Sequence, residues 1–260
     1  MSALTSRDNP KVKHWAMLAK DARYRRTERR ALIEGPHLLA AALQHGYRPV
    51  AVLATEKAAA GEEIGGLIAQ CGVRAVMLAE SLFGAISDVE TPQGIAAEIA
   101  IPDEAEGEGL DTVFLEGVQD PSNVGAIIRS AAGFGIGRVL LDRDCADAWS
   151  PKALRAGMGG HFALRVYETG RLAAEMDAFK GTLACAVARG GVPLREAALS
   201  GSMGWIFGAE GRGLSEETLR KVGLQVTIPM KPGTESLNVA AAAAICFYEA
   251  FSRSNSGTEP

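Results

Sequence analysis

No apolar stretch among the 260 residues is long and clean enough to cross a bilayer. The richest, Ala240 to Phe247, is short and runs into Glu249. Met1 to Arg30 lacks the apolar segment of a secretory leader and is polar and basic instead, so a cytoplasmic protein is expected, or the mature form of an organelle one. Cysteine is scarce, and Cys71, Cys145, Cys185 and Cys246 are too far apart to show metal-ligand spacing. They read as buried free thiols. His14, His37, His45 and His161 form no ligand cluster either, so no structural or catalytic metal is expected. No Walker pattern occurs. The spaced glycines of Gly133-Phe-Gly-Ile-Gly137 follow a helix and precede a strand, the wrong order for a dinucleotide turn. There are no internal repeats, and the one biased stretch is the polar tail after Ser252.

Apolar residues at 47% leave ample material for a core. The net charge of −4 argues against a nucleic-acid partner until its distribution is considered. Residues 1–35 hold Arg7, Lys11, Lys13, Lys20, Arg23, Arg25, Arg26, Arg29 and Arg30 against Asp8, Asp21, Glu28 and Glu34. A local basic field attracts phosphates even on an acidic molecule. Arg7, Lys11, Lys13, Arg23, Arg25, Arg26, Arg29 and Arg30 are therefore candidate RNA contacts, with a solvated basic helix as the plainer reading.

Residues 101–110 are acidic and glycine-containing, without apolar periodicity, and read as an exposed linker. They separate an N-terminal domain, 1–100, from a C-terminal domain, 111–260. The first shows helical spacing over Pro10 to Lys20, a helix opened by Gly35-Pro36, and strands near Ala31–Ile33, Val50–Leu53, Val73–Leu78 and Gly94–Ile99. The second alternates strands (Thr112–Leu115, Arg138–Asp142, Thr182–Ala188, Trp205–Gly208, Val226–Pro229) with helices (Asn123–Ala132, Pro151–Gly157, Leu237–Phe251). Alternation of this kind predicts an α/β fold with a mostly parallel sheet covered on both faces. Ligands of such sheets bind at the carboxyl ends of the strands, so the loops after the strands are the place to look.

Three of those loops carry unusual chemistry. In Glu116-Gly-Val-Gln-Asp-Pro-Ser-Asn-Val-Gly-Ala-Ile-Ile-Arg129, Asn123 falls where a helix N-cap is expected, and Ala126 and Gly133 leave space around Arg129. In Gly208-Ala-Glu-Gly-Arg-Gly-Leu214, three glycines in six residues permit close backbone approach to a ligand. Glu210 there suits a neutral or cationic partner better than a phosphate. Ser215, followed by Glu216 and Glu217, reads as a helix N-cap. In Ile228-Pro-Met-Lys-Pro-Gly-Thr-Glu-Ser-Leu-Asn-Val239, Ser236 and Asn238 stand at the mouth of a helix that is apolar nearly all round. Capping explains one of those two residues but not readily both. So apolar a helix is buried by the sheet, by a partner subunit, or by both.

The segments DPSNVGAIIRSA, FGAEGRGL and IPMKPGTESLNVAAA resemble, in order and separation, the three signature motifs of the SpoU/TrmH family of RNA 2′-O-ribose methyltransferases, of the SPOUT class. The resemblance covers about the last 150 residues. The first 100 resemble, more loosely, the small α/β RNA-binding domain of many members. The resemblance implies a deep trefoil knot in the C-terminal domain, S-adenosyl-L-methionine as cofactor, a homodimer, and a cleft near the subunit interface. By motif position it implies functional roles for Asn123, Arg129, Glu210, Ser236 and Asn238. It places the cofactor against Gly208, Glu210, Gly211, Ile228, Met230, Leu237 and Asn238. Ala240 and Ala241 depart from the small polar and aliphatic pair that many members carry.

A sulfonium methyl is already activated, so such an enzyme must align the ribose 2′-oxygen with it and ease removal of a proton. Arginine is a poor base because it stays protonated. Arg129 therefore reads as a group that orients the ribose through the adjacent phosphate, or as a base only if a dry pocket lowers its proton affinity. Large-subunit ribosomal RNA is the first expectation for the substrate and transfer RNA the alternative. A rival outside catalysis is a silent RNA-binding or ribosome-assembly factor on the same fold.

Overall fold

A computed structural model describes residues 3–103, 109–233 and 235–255. The central residues of the expected linker, 104–108, Thr234 of the third motif and the last five residues of the polar tail lie outside the described residues. The chain forms two compact units, Met1–Asp103 with Trp149–Phe162, and Glu104–Ala148 with Ala163–Pro260.

The first unit opens with helices α1 (Pro10–Lys20) and α2 (Ala22–Glu28), followed by β1 (Arg30–Glu34), α3 (Pro36–Gln44), β2 (Ala51–Ala54), α4 (Glu56–Ala59), α5 (Glu62–Gln70), β3 (Val76–Met77), α6 (Glu80–Ile86) and β4 (Ile95–Ala100). Its sheet runs β1-β4-β2-β3. β4 is antiparallel to both neighbours, and β3 is parallel to β2. Asn9 caps α1 by accepting from the Lys11 N–H at 2.9 Å, and Pro10 fits the first helical turn, where no N–H partner is needed. Val12, Trp15 and Leu18 then fall on one buried face and pack with Leu32, Leu53, Leu82 and Phe83. Trp15 donates its indole N–H to the buried Glu98 at 2.9 Å.

The second unit supplies β5 (Thr112–Glu116), α7 (Pro121–Gly133) and β6 (Arg138–Leu141). The chain next forms α8 (Pro151–Gly157) and α9 (Gly160–Ala163), within a stretch that the sequence pattern assigned to the C-terminal domain. Trp149–Phe162 groups instead with the first unit: α8 packs on β1, and Phe162 meets Tyr47 edge-on at 4.9 Å. Then follow β7 (Arg165–Glu168), α10 (Leu172–Ala178), β8 (Thr182–Ala186), β9 (Val192–Pro193), β10 (Met203–Gly208), α11 (Glu216–Lys221), β11 (Leu224–Thr227) and α12 (Val239–Asn255). The seven strands pair in the order β7-β6-β5-β10-β8-β11-β9, all parallel.

That order positions the site. Gly208 at the end of β10 pairs with Glu116 at the end of β5, so the loops carrying the first two motifs leave adjacent strand ends. β8 and β11 lie on the other side of β10, which brings the third motif to the same edge. One face of the sheet buries Phe114, Leu140, Cys185 and Ile206 with Leu172 and Met176 of α10. α12 packs on α7, β8 and β10, setting Phe247 edge-on to Trp205 and Phe207.

Candidate active site

The first motif starts at a clasp. Asp142, just past β6, accepts the Gly117 N–H on both carboxylate oxygens (3.1 and 3.0 Å) and the Asp144 and Cys145 N–H groups at 3.1 and 2.9 Å. The Cys145 thiol donates to the Leu115 carbonyl at 3.3 Å and accepts the Val118 N–H at 3.2 Å. The turn after β5 is thus tied to the end of β6. Gly117 sits there at φ +66, a conformation that favours glycine.

α7 begins earlier than the sequence suggested. Asp120, not Asn123, is the N-cap, accepting the Ser122 N–H at 2.9 Å, with Pro121 in the first turn. Asn123 is a buried residue inside the first turn, and its amide is free for tertiary bonds. It donates to Glu210. Asn238 donates to Asn123 Oδ1 at 3.0 Å and to Glu210 Oε1 at 3.2 Å. One residue from each motif therefore meets at one point. Asn238 also caps α12, its Oδ1 accepting the Ala240 and Ala241 N–H groups at 2.9 and 3.2 Å. The departure at those alanines leaves the bonds intact, because only backbone is used.

The second motif curls back on itself. The Gly213 N–H donates to the Ala209 carbonyl at 2.8 Å. A Cβ on Gly208 would stand 2.5 Å from the Gly213 carbonyl carbon and 2.7 Å from the Leu214 nitrogen. The close approach inferred at Gly208 is therefore made in the first place by the loop's own backbone. Gly213 needs its positive φ of +69, whereas a Cβ on Gly211 would meet nothing. Ser215 caps α11 as expected, accepting the Thr218 N–H at 3.2 Å.

Beside this junction lies a cleft of ≈300 Å³. Of the residues expected at the cofactor, it is lined by Gly208, Glu210, Ile228, Met230, Leu237 and Asn238, together with Ser236. Gly211 and Arg129 do not line it. Arg129 is exposed on α7, six residues and so about 9 Å of helix rise beyond Asn123. Pattern reading missed Ala186, Val187 and Ala188, which form another wall. They are small and apolar, and nothing but the strand order marks them. The walls are mostly apolar, Glu210 supplies a carboxylate, and among the described residues no lysine or arginine lines the cleft. This donor set fits a sulfonium cofactor held by backbone groups better than a polyphosphate one.

The pattern of the SpoU rRNA Methylase family matches residues 111–248. The chain belongs to that family. Residues 9–97 match an MRM3-like substrate binding domain. This SpoU methylase is 34% identical to RlmP of Bacillus subtilis, a 23S rRNA (guanosine(2553)-2′-O)-methyltransferase, over 95% of its own length and 98% of the relative's. An AdoMet-bound rRNA methyltransferase from Sinorhizobium meliloti superimposes with a TM-score of 0.82 at 26% identity, covering 97% of this chain and 98% of that one. AviRb of Streptomyces viridochromogenes, a SpoU methyltransferase solved with AdoMet, shares the fold, with a TM-score of 0.87 at 24% identity over 96% of this chain and 100% of its own. Membership implies the trefoil knot of the family fold.

The N-terminal basic residues differ in burial and pairing. Arg25 is buried and donates to the Leu18 carbonyl at 2.6 Å, stapling α2 to α1. It is a structural residue, which counting charges could not reveal. Lys13 pairs with Asp8 at 2.9 Å, Arg29 pairs with Asp103 at 3.0 Å, and Arg30 lies 3.6 Å from Glu98. Arg7, Lys11, Arg23 and Arg26 are exposed. Among the described residues, no group of three or more metal-ligating side chains comes together, and no helix is long and apolar enough to cross a membrane.

Proposed function

We propose that this chain transfers a methyl group to a ribose 2′-hydroxyl of large-subunit ribosomal RNA and works as a homodimer. The observation that carries the reading is the bonded junction of Asn123, Glu210 and Asn238 at the edge of the cleft. Gly208, Ile228, Met230 and Leu237 would hold S-adenosylmethionine there. When bound, that cofactor supplies an electrophilic methyl, so the protein's task is placement.

The junction fixes the loops that shape the cleft. Glu210 accepts two amide donors, which hold its carboxylate in one place beside the cofactor pocket. Ser236, exposed at the cleft, offers a hydroxyl to the incoming ribose. Arg129 binds the phosphate next to the target ribose and orients the 2′-oxygen, with its planar fork of donors matched to phosphate. Its place outside the cleft of its own chain fits a role across the subunit interface. The apolar face of α12, with Ile245, Tyr248 and Phe251 exposed, supports the homodimer, because soluble monomers rarely leave such stripes uncovered.

Two measurements test this. Labelled cofactor is incubated with the purified chain and separately with ribosomal and transfer RNA from cells lacking the gene. Label in the large-subunit RNA, mapped to a ribose, is the expected result. Label in transfer RNA alone would move the substrate, and no label in either would leave a silent binding factor. Arg129→Ala is expected to leave cofactor affinity within about twofold and to cut turnover by about 10²- to 10³-fold, as for removal of a transition-state donor. Unchanged turnover would remove Arg129 from the reaction.

A further inference from the structure

Arg212 has no role in the site as described above, yet its surroundings are specific. Its neighbours Glu210, Gly213 and Leu214 line the cleft, whereas Arg212 does not. The side chain is exposed and reaches back to the loop after β5. There its Nη2 lies 3.3 Å from the point that a Cβ on Gly117 would occupy, with the Ala209 methyl 3.6 Å from the same point. Gly117 is in turn held by Asp142. A guanidinium from the second motif is thus seated on a locked turn that leads into the first.

Two carboxylates of the loops around it are otherwise engaged. Glu116 accepts the Ser215 N–H at 3.2 Å, and Glu210 accepts from Asn123 and Asn238. Among the described residues neither pairs with Arg212. Five N–H donors of a permanent cation therefore remain available beside the junction. The same edge carries Glu116, Asp120 and Glu210, which repel a polyanion, and a cation placed among them offsets that repulsion where the RNA must come closest.

We infer that Arg212 binds a backbone phosphate of the substrate RNA beside the cleft. The inference rests on the reading of RNA as substrate. Arg212 does not line the cleft, which favours the RNA phosphate over the carboxylate of the cofactor as its anion.

The test uses the full-length chain and an unmodified large-subunit rRNA transcript. For Arg212→Ala, KM for RNA is expected to rise about tenfold, the size of one lost charge-assisted bond, with kcat within about threefold. The slope of log Kd for RNA against log salt is expected to flatten by about 0.7 to 0.9, one released counterion. Arg212→Lys should keep the slope. Cofactor affinity, read by calorimetry, should stay unchanged in both variants.

An unchanged KM and salt slope in Arg212→Ala would overturn the inference, as would a fall in melting temperature alone. Weaker cofactor binding with an unchanged slope would hand the guanidinium to the cofactor's carboxylate and also overturn it. If the wild-type chain neither binds nor methylates the transcript, the RNA reading itself falls and takes this inference with it.

Discussion

Asn238, at the mouth of α12, donates its amide to Asn123 on α7 at 3.0 Å, across 115 residues of chain. The same side chain closes the helix behind it through Ala240 and Ala241. One residue therefore serves the fold and the site at once, and removing it should be felt in both.

Asn238→Ala is expected to lose about 1 kcal/mol with the cap, seen as a drop of roughly 2–4 °C in melting temperature. It should also lose more than about 100-fold in turnover, because Glu210 loses one of its two amide donors and the Asn123 amide oxygen loses the donor that ties it to the third motif. Thermal unfolding and methyl transfer measured on the same preparation separate the two effects. Turnover within a few-fold of wild type would reduce Asn238 to a cap.

Asp142 is expected to act at a distance from the chemistry. Asp142→Ala strips acceptors from the Gly117, Asp144 and Cys145 N–H groups and should cost roughly 2–4 kcal/mol. It also loosens the turn that delivers Asn123 and seats Arg212. Turnover should fall more than cofactor affinity does, and Asp142→Asn, which keeps one acceptor oxygen, should fall in between. Equal losses in turnover and cofactor affinity would instead indicate general collapse of the loop.

Glu34, in the first unit, makes stability depend on pH. Burial pushes its carboxyl above the ordinary glutamate value. The Asp88 charge adds to this, while the Ser87 hydroxyl (donating at 2.6 Å) and the Arg155 guanidinium oppose it. A group whose folded value is raised favours folding in its neutral form. Its contribution is complete below the unfolded-state value and is lost as pH rises through the folded-state value. Glu34→Gln cannot ionise, so its melting temperature relative to wild type should climb between about pH 4 and pH 7. A difference independent of pH would show that Glu34 is not the titrating group.

All four thiols should be inert in the folded chain. Burial raises the Cys185 thiol to about 11, and burial with the neighbouring Cys185 raises Cys246 to about 12. Cys71 and Cys145 are buried and raised as well. Since the thiolate is the reactive species, Ellman's reagent at about pH 8 should label none of them quickly, and all four after unfolding in guanidinium. Rapid labelling of the native chain would mean that the core opens locally.

Much of the fold was legible because strand and helix periods are local properties. Val12, Trp15 and Leu18 had to share a face once the segment was helical, and apolar runs alternating with helices had to build a covered parallel sheet. Some short elements, among them β7, β9, α5 and α10, leave no readable pattern, since a few residues carry too little period to register. Asn123 lies where the pattern predicts a cap, but the cap is Asp120. Asp120 and Asn123 both have capping side chains, and only the turn geometry chooses between them.

By itself the chain's sequence determined the candidates: Asn123, Arg129, Glu210, Ser236 and Asn238, all in or just after loops expected to follow strands. Tertiary structure alone decided which of them touch. Strand order sets β10 between β5 and β8, and no local pattern encodes that order, because it follows from the packing of side chains far apart in sequence. The same reason separates Arg25, buried under α1, from the exposed arginines beside it. A guanidinium's charge is written in the sequence, but its burial depends on what folds over it.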